Sequence, residues 1–307
     1  MNTELNQYLD DEVNLIEVLK ELFKSKVLIF SITGIFSVAG VIYSLMQPNQ
    51  YSSTSVLTIS SSSSSSQTSS SLSSLASRAG VNIGSSSGGA NPDQIVLQMV
   101  KSKSFFKHLI GFDEVLKNIY ATKSFDTKTN KIIYDSSIYK AREDKWIKMP
   151  KLLEAYEAYD NQVSITHSKI TGMIYLSVTH KSPIFSKELA DLIISELNNL
   201  SRIRASDEAS LSMDYLYNEL STTPQKEIRD SINQLIEAQL KTQMLANVRS
   251  DYLVRTLDEP VVPHKKSAPY RTLICITFFI AGLFLSITFV LIRFYGFRVN
   301  LPKIESN

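Results

Sequence analysis

Hydrophobic and polar positions divide this chain into three parts. Residues 27–46 and 272–292 are apolar runs without a charge, and the segment between them mixes helical and strand periods. Each run is about 20 residues long, enough to cross roughly 30 Å of hydrocarbon at about 1.5 Å per residue. The pattern predicts two membrane-spanning helices flanking one domain at 47–271, with tails at 1–26 and 293–307. The expected fold class is an α+β membrane protein, its mixed α/β domain carried between two transmembrane helices.

Lysine and arginine set the expected orientation. Lys20, Lys24 and Lys26 precede the first run, and the next basic residue after it is Arg78. Cytoplasmic flanks carry the excess of such residues, so the N-terminus is expected in the cytoplasm. The second run is ambiguous alone, with Lys265, Lys266 and Arg271 before it and Arg293, Arg298 and Lys303 after. Two spans return both ends to one side. The domain is therefore expected outside the cytoplasm, in the periplasm of a Gram-negative cell. No small-x-small cleavage site follows the first run, which reads Ser44-Leu45-Met46-Gln47-Pro48 at its end, so it is expected to stay as an anchor. Before it, Val13, Ile16, Leu19, Leu22 and Phe23 share a helical face. That helix either lies on the inner membrane surface or extends the anchor.

Inside the domain the periods change repeatedly. Residues 51–59 are β-prone. A Ser/Gly-rich segment, taken as 52–90, is expected to be a mobile loop because its composition cannot bury apolar surface. Within it, Leu72 to Gly80 has the pattern of a short helix. Ile95, Val96 and Met99, then Phe105, Phe106, Leu109 and Ile110, predict two short helices broken near residues 101–104. Residues 122–150 read as irregular, with a short strand at Ile132-Ile133-Tyr134. Val163 and Ile165, then Ile174, Leu176 and Val178, alternate around Thr171-Gly172 and predict a β-hairpin. Ser182-Pro183 is a helix start, a cap followed by a residue whose missing N–H costs nothing there. The helical pattern then runs for about 38 residues, roughly 57 Å, which is long enough to protrude from a core. Thr222-Thr223-Pro224 interrupts it, and a helical hairpin is expected, with a return leg leading to a strand over 252–262.

Composition excludes several chemistries. The net charge of +2 gives no bulk argument for nucleic acid. The single cysteine, Cys275, lies in the second apolar run, so no intramolecular disulfide or cysteine metal cluster is expected. His108, His167, His180 and His264 lack ligand spacing. No phosphate-binding glycine loop, nucleophile elbow or H-E-x-x-H is present. Only about 15 residues follow the second run, too few for a kinase domain there. Asp113-Glu114 and Glu143-Asp144 read as solvated loop charges. The expectation is no enzyme, no catalytic or metal residues and no cofactor.

Three features carry candidate roles. Pro260, Pro263 and Pro269 stiffen the chain before the second anchor. Gly34 and Gly40 in the first anchor, with Gly282 and Ser286 in the second, permit close helix approach. Lys187, Arg202 and Arg204 on the long helix are candidate contacts for phosphate or acidic sugars.

In order and spacing, these stretches resemble the Wzz-type chain length determinants, the polysaccharide co-polymerases of bacterial inner membranes. The resemblance rests on the helix at 13–23 with its anchor, then Pro48 and Tyr51, Leu72-Ser-Ser-Leu-Ala-Ser, Pro92-Asp93, and Lys101-Ser102-Lys103-Ser104. It continues through Lys181-Ser182-Pro183 and the segment from Pro260 to Pro269. It implies a membrane-proximal α/β domain with a projecting helix, a ring-like homo-oligomer, and a non-enzymatic role in setting the modal length of a polysaccharide such as O-antigen. The implied partners are a membrane polymerase, its lipid-linked glycan and the bilayer. The projecting helix and its return are short for the family, which predicts a squat protomer, and the serine tract is longer than expected. A co-polymerase working with a capsule or exopolysaccharide exporter is the nearest alternative. A membrane sensor would need a cytoplasmic output module, and a glycan-active enzyme would need paired carboxylates in a cleft.

Overall fold

The computed structural model describes residues 22–60 and 92–299, with side chains up to residue 293. Two compact units emerge, one from the terminal segments up to Asn49 and from Ala268, the other from Gln50–Ser267. The helical face predicted at 13–23, the serine tract and the helix predicted after Leu72 lie outside the described residues, save for a helical turn at 22–24.

The terminal unit is a pair of helices, α1 (Lys26–Met46) and α8 (Arg271–Val299). Both are long and apolar enough to cross a membrane. The first matches the apolar run to within one residue. The second continues past residue 292 to Val299; the stretch holds no proline, and its one glycine, Gly296, weakens the helix without ending it.

The domain is built on a four-stranded antiparallel sheet in the order β6-β7-β1-β8. Its strands are β1 (Tyr51–Ile59), β6 (Val163–His167), β7 (Ile174–His180) and β8 (Val254–Asp258). β1 therefore takes residues 52–59 out of the segment expected to be a loop; alternate burial of Ser53, Ser55 and Leu57 gives that stretch a core face despite its serines. Its register sets Tyr51 opposite His180 and Leu57 opposite Ile174. The hairpin β6–β7 pairs Val163 with Val178 and Ile165 with Leu176. Its connection is a six-residue loop, 168–173, rather than a tight two-residue turn. Gly172 takes φ +67° there, and its N–H donates to the Ser168 carbonyl at 2.8 Å.

The long helix α6 (Pro183–Thr222) starts where predicted, with the Ser182 hydroxyl accepting from the Phe185 N–H at 3.3 Å and Pro183 in the first turn. Phe185, Leu189, Ile193 and Leu197 recur at helical spacing and are buried against Leu57, Leu176, Val178 and Val254 of the sheet. Beyond Asn198, Ala209 alone of the α6 side chains is buried, so the last turns leave the core. They pack on the return helix α7 (Lys226–Val248), which buries Ile232, Ile236 and Ala246. At 40 residues, α6 is about 60 Å long. The expected helical hairpin is present, and Pro224 lies between its legs because it cannot continue a helical ladder.

The remaining helices complete the core. α2 (Pro92–Val100) and α3 (Lys103–Leu109) are separated at Ser102, whose hydroxyl accepts from the Phe105 N–H at 3.1 Å and caps α3. α4 (Val115–Ala121) and α5 (Leu152–Gln162) bring Ile119, Ala155 and Tyr159 inward. The stretch 122–150 is more ordered than its composition suggests. It forms the hairpins β2 (Thr122–Asp126) with β3 (Lys131–Tyr134), and β4 (Tyr139–Lys140) with β5 (Lys145–Trp146). Asp126 makes the first turn by accepting from the Lys128 N–H and the Thr129 hydroxyl. Side chains from the β7–α6 junction hold this region. The His180 Nε2–H donates to the Asn118 carbonyl at 3.0 Å, and Lys181 Nζ donates to the Thr122 carbonyl at 2.6 Å.

Candidate functional site

In the helix pair, small residues decide where the backbones meet. A Cβ on Gly282 would stand 2.6 Å from Phe36 Cβ, and one on Gly40 would stand 2.6 Å from Phe278 Cβ. Both glycines are thus required by close approach. Ser286 is fully buried, its hydroxyl 3.5 Å from that of Thr33 and donating to the Leu283 carbonyl at 2.7 Å. Gly34 is different: nothing lies within 4 Å of the position its Cβ would take. It lies about 100° around α1 from Thr33 and about 120° from Gly40, off the seam, and takes no part in the packing.

The basic residues of α6 do not form one surface. Lys187 pairs with Asp191 one turn along its own helix. Arg202 Nη2 donates to Asn199 Oδ1 at 3.1 Å. Arg204 is exposed and points about 200° around the helix from Arg202. Arg202 and Pro260 line a polar groove of about 540 Å³ between α6 and the segment around β8, together with Asp191, Asp251 and Glu259. Three carboxylates around one guanidinium do not suit a phosphate or an acidic sugar.

The proline segment is fastened to β1 by serines. Ser55 Oγ donates to the Asp258 carbonyl at 2.6 Å, and Ser53 Oγ to the Val261 carbonyl at 2.8 Å. At the far end the Ser267 N–H and hydroxyl both donate to the Gln50 carbonyl, at 2.9 and 3.1 Å. The strand expected over 252–262 is shorter, ending at Asp258, because Pro260 offers no N–H to a ladder. Pro260 is buried, Pro263 is half-buried, and Pro269 follows a cis peptide bond.

A second concavity, about 470 Å³, lies where α4 meets the β4–β5 hairpin. Sequence reasoning passed it over, reading Asp113-Glu114 and Glu143-Asp144 as loop charges. Lys117 Nζ draws the two pairs together, 3.0 Å from Glu114 Oε1 and 3.8 Å from Asp144 Oδ1. Tyr139 donates its hydroxyl proton to Asp144 and stands edge-on to Trp146, ring centroids 5.2 Å apart. The chain's one tryptophan beside two acidic dipeptides was the available signal. Among the described residues no group of three or more His, Cys, Asp or Glu side chains could hold a metal ion.

Two family models match the chain, one at each end. The Wzz model, "Chain length determinant protein", matches residues 11–111, and the GNVR model, "G-rich domain on putative tyrosine kinase", matches residues 229–295. Each match contains one of the two apolar runs. The N-terminal third of the chain is thus similar to the chain length determinant proteins. No curated protein matches the sequence. Among solved structures, it is similar to a "full-length bacterial polysaccharide co-polymerase", with 11% identity and a TM-score of 0.43 over 94% of this chain and 99% of that one. It is also similar to a fragment of WzzB, a polysaccharide co-polymerase from Salmonella Typhimurium, with 15% identity and a TM-score of 0.29 over 72% of this chain and 100% of that one. Both superpose loosely, so the likeness to chain length determinants rests on the sequence matches. Two apolar helices near the ends are compatible with a two-pass Wzz-type membrane protein.

Proposed function

We propose that this protein sets the modal chain length of a surface polysaccharide, O-antigen in the first instance, as a non-enzymatic scaffold beside a membrane polymerase. The observation that carries the reading is the chain length determinant match over residues 11–111, which takes in the first apolar helix and β1 at the centre of the sheet. In this reading both termini are cytoplasmic and the domain is periplasmic, in keeping with Lys20, Lys24 and Lys26 ahead of α1. The protomers form a ring-like homo-oligomer. The exposed Leu211, Tyr215, Leu240 and Met244 of the α6–α7 hairpin supply apolar surface for it. Of the three basic positions, Arg202 alone lies in a groove, where it meets hydroxyl groups of the growing glycan. The proline segment holds the domain's exit fixed. The experiment is deletion of the gene with the cell's surface polysaccharide resolved by size. Polymer that persists without a preferred length supports the reading, and loss of all polymer moves the role to synthesis or export of a capsule or exopolysaccharide.

A further inference from the structure

We propose that the concavity between α4 and the β4–β5 hairpin is a binding site for a neutral oligosaccharide, built from the Tyr139–Trp146 aromatic wall and the Glu114–Lys117–Asp144 charge cluster. The ligand class rests on the polysaccharide reading above; the site itself rests on its own geometry.

A pyranose ring presents an apolar C–H face and a rim of hydroxyls. Its C–H groups suit an aromatic face, whose quadrupole is negative. Tyr139 and Trp146 provide that surface in a concavity of about 470 Å³, with Phe112 on its rim. Tyr139 itself is buried, so Trp146 presents the more accessible ring. The hydroxyls need both donors and acceptors. The Glu114 and Asp144 side chains are 64% and 80% exposed, leaving their oxygens open as acceptors. Lys117 Nζ donates, and the indole N–H of Trp146, another lining residue with no hydrogen-bond partner among the described residues, is a second donor.

The groups are also held in place before any ligand arrives. Lys117 ties both carboxylates, and the Tyr139 hydroxyl ties Asp144 again. Glu114 and Asp144 both have left-handed backbone, φ +71° and +48°, which is uncommon for residues other than glycine and is kept where surrounding structure enforces it. Fixed groups lose less freedom on binding. Charge then sets the class. Asp113, Glu114 and Asp144 against Lys117 leave the concavity net negative, which disfavours acidic sugars and phosphate and favours neutral ones.

Trp146 is the chain's only tryptophan, so its fluorescence reports on this site alone. The test titrates the full chain in detergent with neutral oligosaccharides released by mild acid from the host's own surface polysaccharide, and with an acidic oligosaccharide of equal length. The expected result is a saturable emission change with Kd of about 1 mM for the neutral probe, weakened about tenfold in Asp144→Asn. Trp146→Phe, with binding read by ligand-observed NMR and folding by circular dichroism, is expected to weaken binding while the fold is retained. An unchanged emission up to about 10 mM of neutral probe overturns the proposal, as does a response to the acidic probe alone. Equal binding by the folded variants also overturns it. Sizing the surface polymer separates this failure from that of the functional reading. If gene deletion removes the preferred length but no neutral probe binds, the site falls and the length reading stands. If the probe binds and deletion leaves the length unchanged, the site stands and the length reading falls.

Discussion

Asn198 on the long helix holds Val254 by both ends of its backbone. Its Nδ2 donates to the Val254 carbonyl at 2.9 Å, and its Oδ1 accepts from the Val254 and Leu253 N–H groups, each at 2.9 Å. The side chain is buried, so these bonds serve backbone groups that water reaches poorly. They also fix β8 to the helix at the point where the polar groove opens. Asn198→Ala leaves a buried carbonyl and two N–H groups unserved and is expected to cost about 2–4 kcal/mol. Asn198→Asp keeps the acceptor and is expected to cost less than the alanine variant if its carboxylate is held by the same two N–H groups. Denaturant unfolding of the full chain in detergent checks both, and equal stability of Asn198→Ala and the parent protein would refute the clamp.

The helix pair makes a different prediction. Gly282 and Gly40 each face a Cβ attached directly to the opposite backbone, which cannot swing away as a side-chain tip could. Gly282→Val and Gly40→Val are expected to force the helices apart, costing about 1–3 kcal/mol each. Gly34→Ala is expected to change stability by less than about 0.5 kcal/mol, since the new methyl meets open space. Thermal unfolding in one detergent compares the three.

His180 gives the domain a pH dependence. It is buried between the Asn118 carbonyl and the Ser182 N–H, which donates to its Nδ1 at 3.0 Å. Burial pushes its pKa down to about 4 from the ordinary 6.5, with the nearby Lys181 charge acting the same way, and outweighs the Asn118 carbonyl, which favours the charged ring. Above pH 6.5 both folded and unfolded chains are neutral here, and stability is complete. As pH falls, the unfolded chain takes up a proton first, so stability is lost between about pH 6.5 and 4, by up to about 3 kcal/mol. His180→Gln is expected to flatten that slope in unfolding experiments run across this window. Asp126 and Asp135 do not confuse the result. Hydrogen bonds to Asp126 from the Lys128 N–H, and to Asp135 from the Ser137 hydroxyl, hold both below the usual 3.8, so they act at lower pH.

What could be read from the sequence follows from how local each signal is. The two apolar runs, the alternation in β6 and β7, and Ser182-Pro183 each declare their element within a few residues. α5 was missed although Ala155 and Tyr159 lie one turn apart and Pro150 precedes them, because its exposed Leu152 and Leu153 blur the stripe. β1 was recognisable as a strand, but its place between β7 and β8 depends on pairings more than 100 residues away. The same holds for the site at Trp146. Glu114, Lys117, Tyr139, Asp144 and Trp146 come from one short helix and a later hairpin, and no spacing rule connects them. Gly34 shows the converse limit. A small residue in an apolar helix does not by itself say which face carries the seam.

The central claim is control of polymer length, and the most direct measurement is the size distribution of surface polysaccharide in a gene-deleted strain, with and without the gene restored. The account predicts that deletion leaves polymer of random length and that restoration returns one preferred length. Restoration with Gly282→Val is expected to return less of it, as the helix pair weakens. An unchanged distribution in the deleted strain would contradict the account.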